Sequence, residues 1–393
     1  MEVKIADETT IAAKLRSGFR ERYGTNARVF RAPGRVNLIG EHTDYNDGFV
    51  MPVAIEFNVW IAIAPRDDRK LLVHSENFSE SAEIDLDNCD PTPRNQWIDY
   101  VQGVVMMLER VRHSLRGANI LICGAVSIGS GLSSSAAIEV ATGFALLEIS
   151  GVPVDRVELA KLCRRAENEF VGARVGIMDQ FISCCGHAGH ALMLDCRSLD
   201  YRLLPIPAEV SLVICNTMVK HDLATGEYNT RRAECEEGVR RLSLKMPYVR
   251  ALRDVGVEDL DRYCSDLPQT IYQRCRHVVT ENARVCDAAA ALEKADLATF
   301  GRLMAESQIS LRNDYEVSCP ELDLMVEIAG QVEGVYGARM TGGGFGGSTV
   351  NLVKKRAVAD FERRVASEYK KATGLWPQIL VSAAAEGAGE VRP

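Results

Sequence analysis

Hydrophobic and polar positions follow two different periods along the chain, which predicts a mixture of helices and strands. Apolar residues three or four positions apart predict amphipathic helices in the first 24 residues, at about 97–112 and at about 154–171. Runs rich in Val, Ile and aromatic residues predict strands in "ARVF", "NVWIAIA", "ANILICG" and "EVSLVICNT". Residues 132–149 are apolar on nearly all sides, so we expect a buried helix there.

The pattern restarts near residue 205, where a strand, a polar loop and a series of helices follow one another to about residue 330. A chain of 393 residues is longer than one hydrophobic core normally serves. We therefore predict two domains, residues 1–205 and 206–374, with no low-complexity linker between them.

The composition favours a folded soluble protein and argues against several other classes. Apolar residues make up 47% and charged residues 25% of the chain, as in folded soluble proteins. The net charge of −8 argues against a nucleic-acid partner, and no apolar run is long enough to span a membrane. Twelve cysteines are scattered without a CxxC motif, so we expect reduced thiols and a cytoplasmic protein.

The stretch "GSGLSSSAAIEVA", residues 129–141, predicts a phosphate site. A strand, a glycine turn and a helix that opens on serines direct several backbone N–H groups and the positive end of the helix dipole at one point. The alternative is a simple N-cap, for which one serine suffices. The candidate phosphate-binding residues are Gly129, Ser130, Gly131, Leu132, Ser133, Ser134 and Ser135. The Walker motif GxxxxGK[ST] is absent.

A second glycine stretch, "GGGFGG" at residues 342–347, contains the GxGxxG spacing of dinucleotide-binding proteins. We reject that interpretation because "STVNLV" follows it and predicts a strand, whereas the fingerprint requires a helix. The stretch predicts a tight connection, and the sequence leaves a structural role and a ligand-binding role equally open.

The third stretch, "GRVNLIGEHTDYNDG" at residues 34–48, concentrates polar side chains between apolar flanks. Glu41, His42, Asp44 and Asp47 have the donors and acceptors that a polyhydroxylated ligand needs once water is removed. They also fit an ordinary solvated turn. One histidine with nearby carboxylates is weak support for a metal site.

Two carboxylates lie at apolar positions. Glu167 falls on the apolar stripe of the helix predicted at 154–171, where it either pairs with Arg164 or Arg165 or holds a divalent ion beside a phosphate. Asp179 is surrounded by large apolar residues and is either a helix N-cap or a base for a hydroxyl nucleophile, with Arg35 as its electrostatic partner.

These segments, together with "HDLATGEYNTRRAECE" and "GARMTGGGFGG", resemble galactokinases, which belong to a superfamily that includes the homoserine, mevalonate and phosphomevalonate kinases. The resemblance runs from about residue 30 to residue 350, and "GEHTDY" is its most specific part. It implies an α+β fold of two domains, an N-terminal α/β domain like ribosomal protein S5 and a C-terminal α+β domain, with the active site between them. Residues 375–393 would return to the N-terminal domain.

The resemblance also implies a reaction, transfer of the γ-phosphoryl group of MgATP to the C1 hydroxyl of α-D-galactose, and a set of residues for it. Asp179 would be the catalytic base and Arg35 the cation that stabilises charge. The implied sugar contacts are Glu41, His42, Thr43, Asp44, Gly176 and Tyr228, the Mg²⁺ ligands are Ser135 and Glu167, and the adenine pocket includes Trp97 and Tyr100.

Two alternatives remain beside this interpretation. An N-acetylgalactosamine kinase shares the motif of the polar turn and differs around the sugar C2. A sensor that binds galactose and ATP without turnover lacks a Ser-Ala pair in the serine-rich segment, whereas "LSSSAA" is complete here, so we predict catalysis. We expect a monomer that has galactose and ATP as its small-molecule partners.

Overall fold

The computed structural model describes residues 7–111, 114–127, 129–220 and 224–392. Its helices are α1 (Glu8–Tyr23), α2 (Ile98–Arg110), α3 (Ser134–Ile149), α4 (Arg156–Ala166), α5 (Met178–Cys185), α6 (Ala224–Ser243), α7 (Val257–Arg262), α8 (Gln269–Glu293), α9 (Leu297–Asn313), α10 (Pro320–Gly330) and α11 (Val358–Thr373). Its strands are β1 (Arg28–Asn37), β2 (Phe49–Val50), β3 (Pro52–Pro65), β4 (Lys70–Ser75), β5 (Glu80–Asp85), β6 (Ala118–Gly124), β7 (His190–Asp195), β8 (Tyr201–Pro205), β9 (Val210–Lys220), β10 (Val335–Thr341), β11 (Gly346–Lys354), β12 (Gln378–Ser382) and β13 (Gly389–Glu390).

The first half of the chain is built on a six-stranded sheet in the order β13-β1-β3-β6-β4-β5. Successive side chains of a strand point to opposite faces, so Val29 and Trp60 pack on α1 while Phe30 and Ile61 face the main core. Helix α3 crosses the second face and is buried along most of its length, as its apolar sequence predicts. A smaller sheet, β2-β7-β8, extends this half towards α8.

The second half contains a four-stranded sheet in the order β10-β11-β9-β12. Helices α10 and α11 cover one face, where Met325, Phe361 and Tyr369 form an apolar cluster with Val213 and Cys215 of β9. Among the described residues, no helix combines the length and the apolar character that crossing a bilayer requires. None of the twelve cysteines is in a disulfide.

Residues 375–393, which the resemblance assigns to the N-terminal domain, divide between the two large sheets. Strand β13 pairs with β1 of the six-stranded sheet, with Phe30 opposite Glu390. Strand β12 instead pairs with β9 of the four-stranded sheet, over the five residues from Gln378 to Ser382. The expected return to the N-terminal domain therefore does not describe β12, and the boundary near residue 205 stays a prediction.

Candidate active site

A cavity of about 290 Å³ lies between the two halves of the chain. This volume is near the lower end of the range for small-molecule sites, roughly 300–1,000 Å³. Both the polar turn after β1 and the segment that begins α5 contribute to its wall. Its polar lining includes Arg35, Glu41, His42, Asp44, Gly176, Asp179, Tyr228, Gly342 and Gly343. The structure thus brings together residues that the sequence separates by some 300 positions.

Arg35 and Asp179 form a bidentate ion pair at one side of this cavity. Arg35 Nε and Nη2 donate to the two carboxylate oxygens of Asp179 at 2.8 and 2.7 Å. The arginine side chain is only 7% exposed, against 26% for the aspartate, so the carboxylate is the partner that a ligand can reach. Asp179 lies in the first turn of α5 and does not cap it, since Ile177 occupies the N-cap position.

The same ion pair is joined to the serine-rich loop. Ser133 Oγ donates to Asp179 Oδ2, and Arg35 Nη1 donates to the carbonyl of Gly131. The backbone N–H of Arg35 donates to Leu132 O at 3.1 Å. The predicted phosphate loop and the predicted reacting pair are therefore in direct contact.

Asp44 faces the cavity beside Gly176. A Cβ on Gly176 would lie 1.8 Å from Asp44 Oδ2, so only glycine allows the carboxylate this position. Burial raises the pKa of Asp44 to about 6, and the nearby Asp179 carboxylate adds to the shift. Asp47, by contrast, pairs with Arg197 at the surface and does not line the cavity.

Glu41 lines the cavity, but its carboxylate is already occupied by protein groups. Its oxygens accept from Asn37 Nδ2 and from the backbone N–H of Gly342, both at 2.6 Å. Arg339 Nη1 lies 3.7 Å from Glu41 and donates to Asn37 O at 3.0 Å. The fully buried Arg339 was not among our sequence candidates, because its position in a strand-like run gives no sign of a partner 300 residues earlier.

His42 belongs to an aromatic cluster with Tyr45, Tyr228 and Tyr315. Its Nδ1 is 2.8 Å from Tyr45 Oη, which is 2.7 Å from Tyr315 Oη. Burial lowers the pKa of His42 to about 3, so the ring is neutral at physiological pH. Thr43 lies outside the cavity lining, and its hydroxyl helps to hold the turn because it lies 2.6 Å from the carbonyl of Phe49 and 2.8 Å from that of Gly40, to either of which it donates. Sequence reasoning missed Tyr45 and Tyr315.

The start of α3 borders a second, apolar cavity of about 140 Å³. Trp97 and Tyr100 line it with Ser134 and Ser135, and Phe78 stacks on Trp97 at a centroid distance of 5.9 Å. These are the residues that the resemblance assigns to the adenine pocket and the phosphates.

The remaining loop residues, Gly129, Ser130, Gly131, Leu132 and Ser133, line neither of these two cavities. Ser130 Oγ is turned inward and donates to Ser127 O at 2.7 Å. Gly342 lies against Gly131, and Ser348 Oγ donates to Ser130 O at 2.7 Å, so the glycine stretch closes on the serine-rich loop. The residues after it form β11, as predicted, and not a helix.

Glu167 is 5% exposed in a π-helical segment, Glu167–Val171, that continues α4. It does not pair with Arg165, which instead contacts Glu169 at 2.7 Å. Its carboxylate contacts Ser135 and accepts from Gln180 Nε2 at 2.6 Å. Burial raises the pKa of Glu167 to about 7, with Asp179 adding to the shift.

These oxygens fit Mg²⁺. Among the described residues, no group of three or more His, Cys, Asp or Glu side chains could hold a metal ion. Mg²⁺ does not need such a group beside a nucleotide, because one or two protein oxygens suffice when phosphates and water supply the rest. The hydroxyl of Ser135 and the carboxylate of Glu167 are such a pair, and they lie at the predicted phosphate loop.

Family models match three parts of the chain. Residues 17–65 match the galactokinase galactose-binding signature, residues 99–187 match the N-terminal domain of GHMP kinases, and residues 288–371 match the C-terminal domain of GHMP kinases. Together these matches include the polar turn, the serine-rich loop, Glu167 and Asp179.

Among curated proteins, galactokinase from Roseiflexus sp. (strain RS-1) is 46% identical over 379 residues, which cover 96% of this chain and 97% of that protein. Galactokinase from Chloroflexus aggregans is 49% identical over 360 residues, 92% of each chain. The crystal structure of Lactococcus lactis galactokinase complexed with galactose superposes with a TM-score of 0.93 at 34% identity, covering 97% of this chain and 100% of that one. A mevalonate kinase, at 19% identity and a TM-score of 0.62, shares the fold. The predicted two-domain α+β fold is confirmed.

Proposed function

The chain belongs to the galactokinase family and is an ATP-dependent galactose kinase, and from that premise we propose that it transfers the γ-phosphoryl group of ATP to the C1 hydroxyl of α-D-galactose. The contact of Asp179 with both Arg35 and Ser133 carries this proposal. It joins a polar cavity of the size of a small ligand to a loop suited to phosphates. A hydroxyl beside Asp179 would therefore face the terminal phosphate of a nucleotide bound at residues 129–135.

Asp179 and Arg35 act as a unit in the proposed reaction. The half-buried carboxylate of Asp179 accepts a hydrogen bond from the sugar hydroxyl and orients its oxygen for attack. Arg35, fixed by two hydrogen bonds to Asp179 and one to the phosphate loop, supplies positive charge where charge moves during transfer. Phosphoryl transfer demands alignment and charge compensation above all, so orientation by Asp179 matters as much as its basicity.

The other hydroxyl groups of the sugar are assigned to the remaining wall of the cavity. Asp44 accepts hydrogen bonds, and the neutral ring of His42 forms part of the wall. Tyr228 and Gly176 limit the shape of the cavity. Glu41 acts indirectly, since it holds Gly342.

We further propose Mg²⁺ as the metal cofactor, held by Ser135 and Glu167. When bound with ATP, the ion neutralises negative charge on the phosphates. The apolar cavity with Trp97 and Tyr100 is the proposed adenine site. A cytoplasmic monomer remains our expectation, and light scattering after gel filtration checks the oligomeric state.

Replacing Asp179 tests the assignment of the reacting pair. Asp179→Asn keeps the shape of the side chain and removes its charge, so we expect kcat to fall by at least about 100-fold, the lower range for general acid-base groups. ATP binding should change little. ADP release measured across galactose, N-acetylgalactosamine and glucose gives the turnover and the substrate preference together.

Three results would contradict parts of the proposal. A wild-type kcat in Asp179→Asn would remove Asp179 from the reaction. Preference of the native protein for N-acetylgalactosamine would favour the alternative kinase. ATP and galactose binding without any ADP release would favour the sensor, which the complete "LSSSAA" segment argues against.

A further inference from the structure

A chain of buried polar groups extends away from Glu167, on the side opposite the solvent. Gln180 on α5 donates through its one amide nitrogen to two carboxyl groups, Glu167 Oε2 at 2.6 Å and Glu139 Oε2 at 3.0 Å. Gln180 and Glu139 are both fully buried. The proposed reaction uses neither of them.

Burying these polar groups lowers the stability of the folded protein, which suggests that they are there for the function of the site. A buried polar group without a partner costs about 1–3 kcal/mol, and here Gln180 Oε1 and Glu139 Oε1 have no hydrogen-bond partner among the described residues. Burial raises the pKa of Glu139 well above its ordinary value, which keeps a second charge away from Glu167. Apolar side chains would pack in this space at no such cost.

The geometry explains what the amide does for Glu167. The carboxylate contacts Ser135 at the phosphate loop and Gln180 at the core, so it is held from both sides. Gln180 is in turn fixed by Glu139, which projects from α3, the helix that also carries Ser135. Helix α3 thus supplies one proposed metal ligand directly and orients the other through a side chain of α5.

We propose that Gln180 is a positioning residue for the metal site, with Glu139 as its anchor. The inference rests on the proposed function, because it takes Ser135 and Glu167 as the ligands of Mg²⁺. Partners of metal ligands typically contribute 10–100-fold to metal affinity. Loss of the Gln180 amide should therefore weaken metal binding in this range.

Gln180→Met removes the amide at nearly constant volume. In the presence of ADP, the affinity for Mn²⁺, measured from the electron paramagnetic resonance signal of the free ion, is expected to fall about 10–100-fold. Galactose affinity by calorimetry without nucleotide should stay close to that of the native protein. Gln102→Met is the matched control, since Gln102 is also buried but donates to the carbonyl of Asp90.

A second variant keeps the test informative if Gln180→Met folds poorly. Glu139→Met/Gln180→Met replaces both polar side chains behind Glu167 by apolar ones. The double variant should therefore be at least as stable as Gln180→Met and should still bind Mn²⁺ weakly. Glu139→Gln alone keeps an oxygen that accepts from Gln180, so this variant should keep most of the native affinity for Mn²⁺. Native Mn²⁺ affinity in Gln180→Met, or in the folded double variant, would overturn the inference. Because Mn²⁺ binding is measured without sugar turnover, that outcome is distinct from a failure of the native protein to phosphorylate galactose.

Discussion

At the scale of single residues, the cavity depends on carboxylates whose charge is costly to bury. Asp44, Asp179 and Glu41 lie around one small space, and Arg35 and Arg339 offset them only in part. Asp44 has no cationic partner among the described residues and accepts instead from the backbone N–H of Tyr45 at 3.0 Å. With a pKa of about 6, Asp44 changes its protonation state close to the physiological range.

Galactose binding should weaken in mild acid because of Asp44. The pKa of about 6 means that the carboxylate is ionised at pH 7 and mostly protonated at pH 5, where it no longer accepts two hydrogen bonds. We expect the galactose Kd to rise roughly tenfold per pH unit below the pKa, which calorimetry without nucleotide measures free of any effect on ATP. Asp44→Asn should bind galactose weakly at all pH values and lose this dependence. If the galactose Kd of Asp44→Asn still rises as the pH falls below 6, the pH dependence belongs to another group.

At the scale of elements, the packing of α9 on β10 determines the position of the glycine stretch at residues 342–347. Gly301 of α9 lies directly against β10, where an added Cβ would be 1.7 Å from Tyr336 O. Opposite it, Gly337 has no room for a side chain either. This close approach fixes the position of β10, which contains Arg339 and is followed by Gly342. The packing of α9 therefore affects the wall of the cavity.

Gly301→Ala should consequently destabilise the protein, because the clash is with backbone atoms that cannot rotate away. We expect a loss of about 1–3 kcal/mol in the free energy of unfolding, the usual cost of overpacking, measured by urea denaturation. Gly330→Ala in α10 is the control, since nothing lies within 4 Å of its added Cβ and stability should be unchanged or slightly higher. Equal stability of both variants would mean that α9 and β10 shift apart freely.

The sequence predicted those site residues that interrupt the local pattern of hydrophobic and polar positions. Ser133, Asp44 and Asp179 stand out because polar side chains interrupt apolar runs or crowd a loop, and the structure brings all three together. Glu139 and Gln180 escaped notice because each lies within an apolar run and finds its partner on another helix, 41 positions away. Periodicity indicates which face of an element is buried, but it does not reveal which distant element meets that face.

At the scale of the whole molecule, residues 383–392 connect the two large sheets and wrap around the end of α5. The backbone N–H groups of Gly387, Ala388 and Val391 donate to Gly186, Ser183 and Val29 at 2.8–2.9 Å. Two of these acceptors lie at or just beyond the C-terminal end of α5, the helix that carries Asp179 and Gln180. The segment therefore supports the active site from behind.

Deleting residues 386–393 should lower stability and activity together. The deletion removes these three backbone hydrogen bonds, the pairing of β13 with β1 and the ion pair of Glu390 with Arg28. We therefore expect a loss of at least about 3 kcal/mol in the free energy of unfolding, at roughly 1 kcal/mol for each of the three backbone hydrogen bonds. Thermal unfolding and galactose turnover measure the two effects. Glu390→Gln is the comparison, because it removes only the ion pair with Arg28 at 2.7 Å, a half-exposed contact with an expected effect below about 1 kcal/mol. A deletion no more harmful than Glu390→Gln would show that α5 needs no support from this segment.

The pairing of β13 with β1 also sets an order of events during synthesis. Strand β1 is translated early, yet its outer edge is covered only when residues 389–390 arrive. For most of its time on the ribosome, the nascent chain therefore exposes an unpaired strand edge, which is a site where growing chains associate with one another. Slow translation or crowded polysomes should accordingly lower the yield of soluble protein, and chaperones that shield strand edges should restore it.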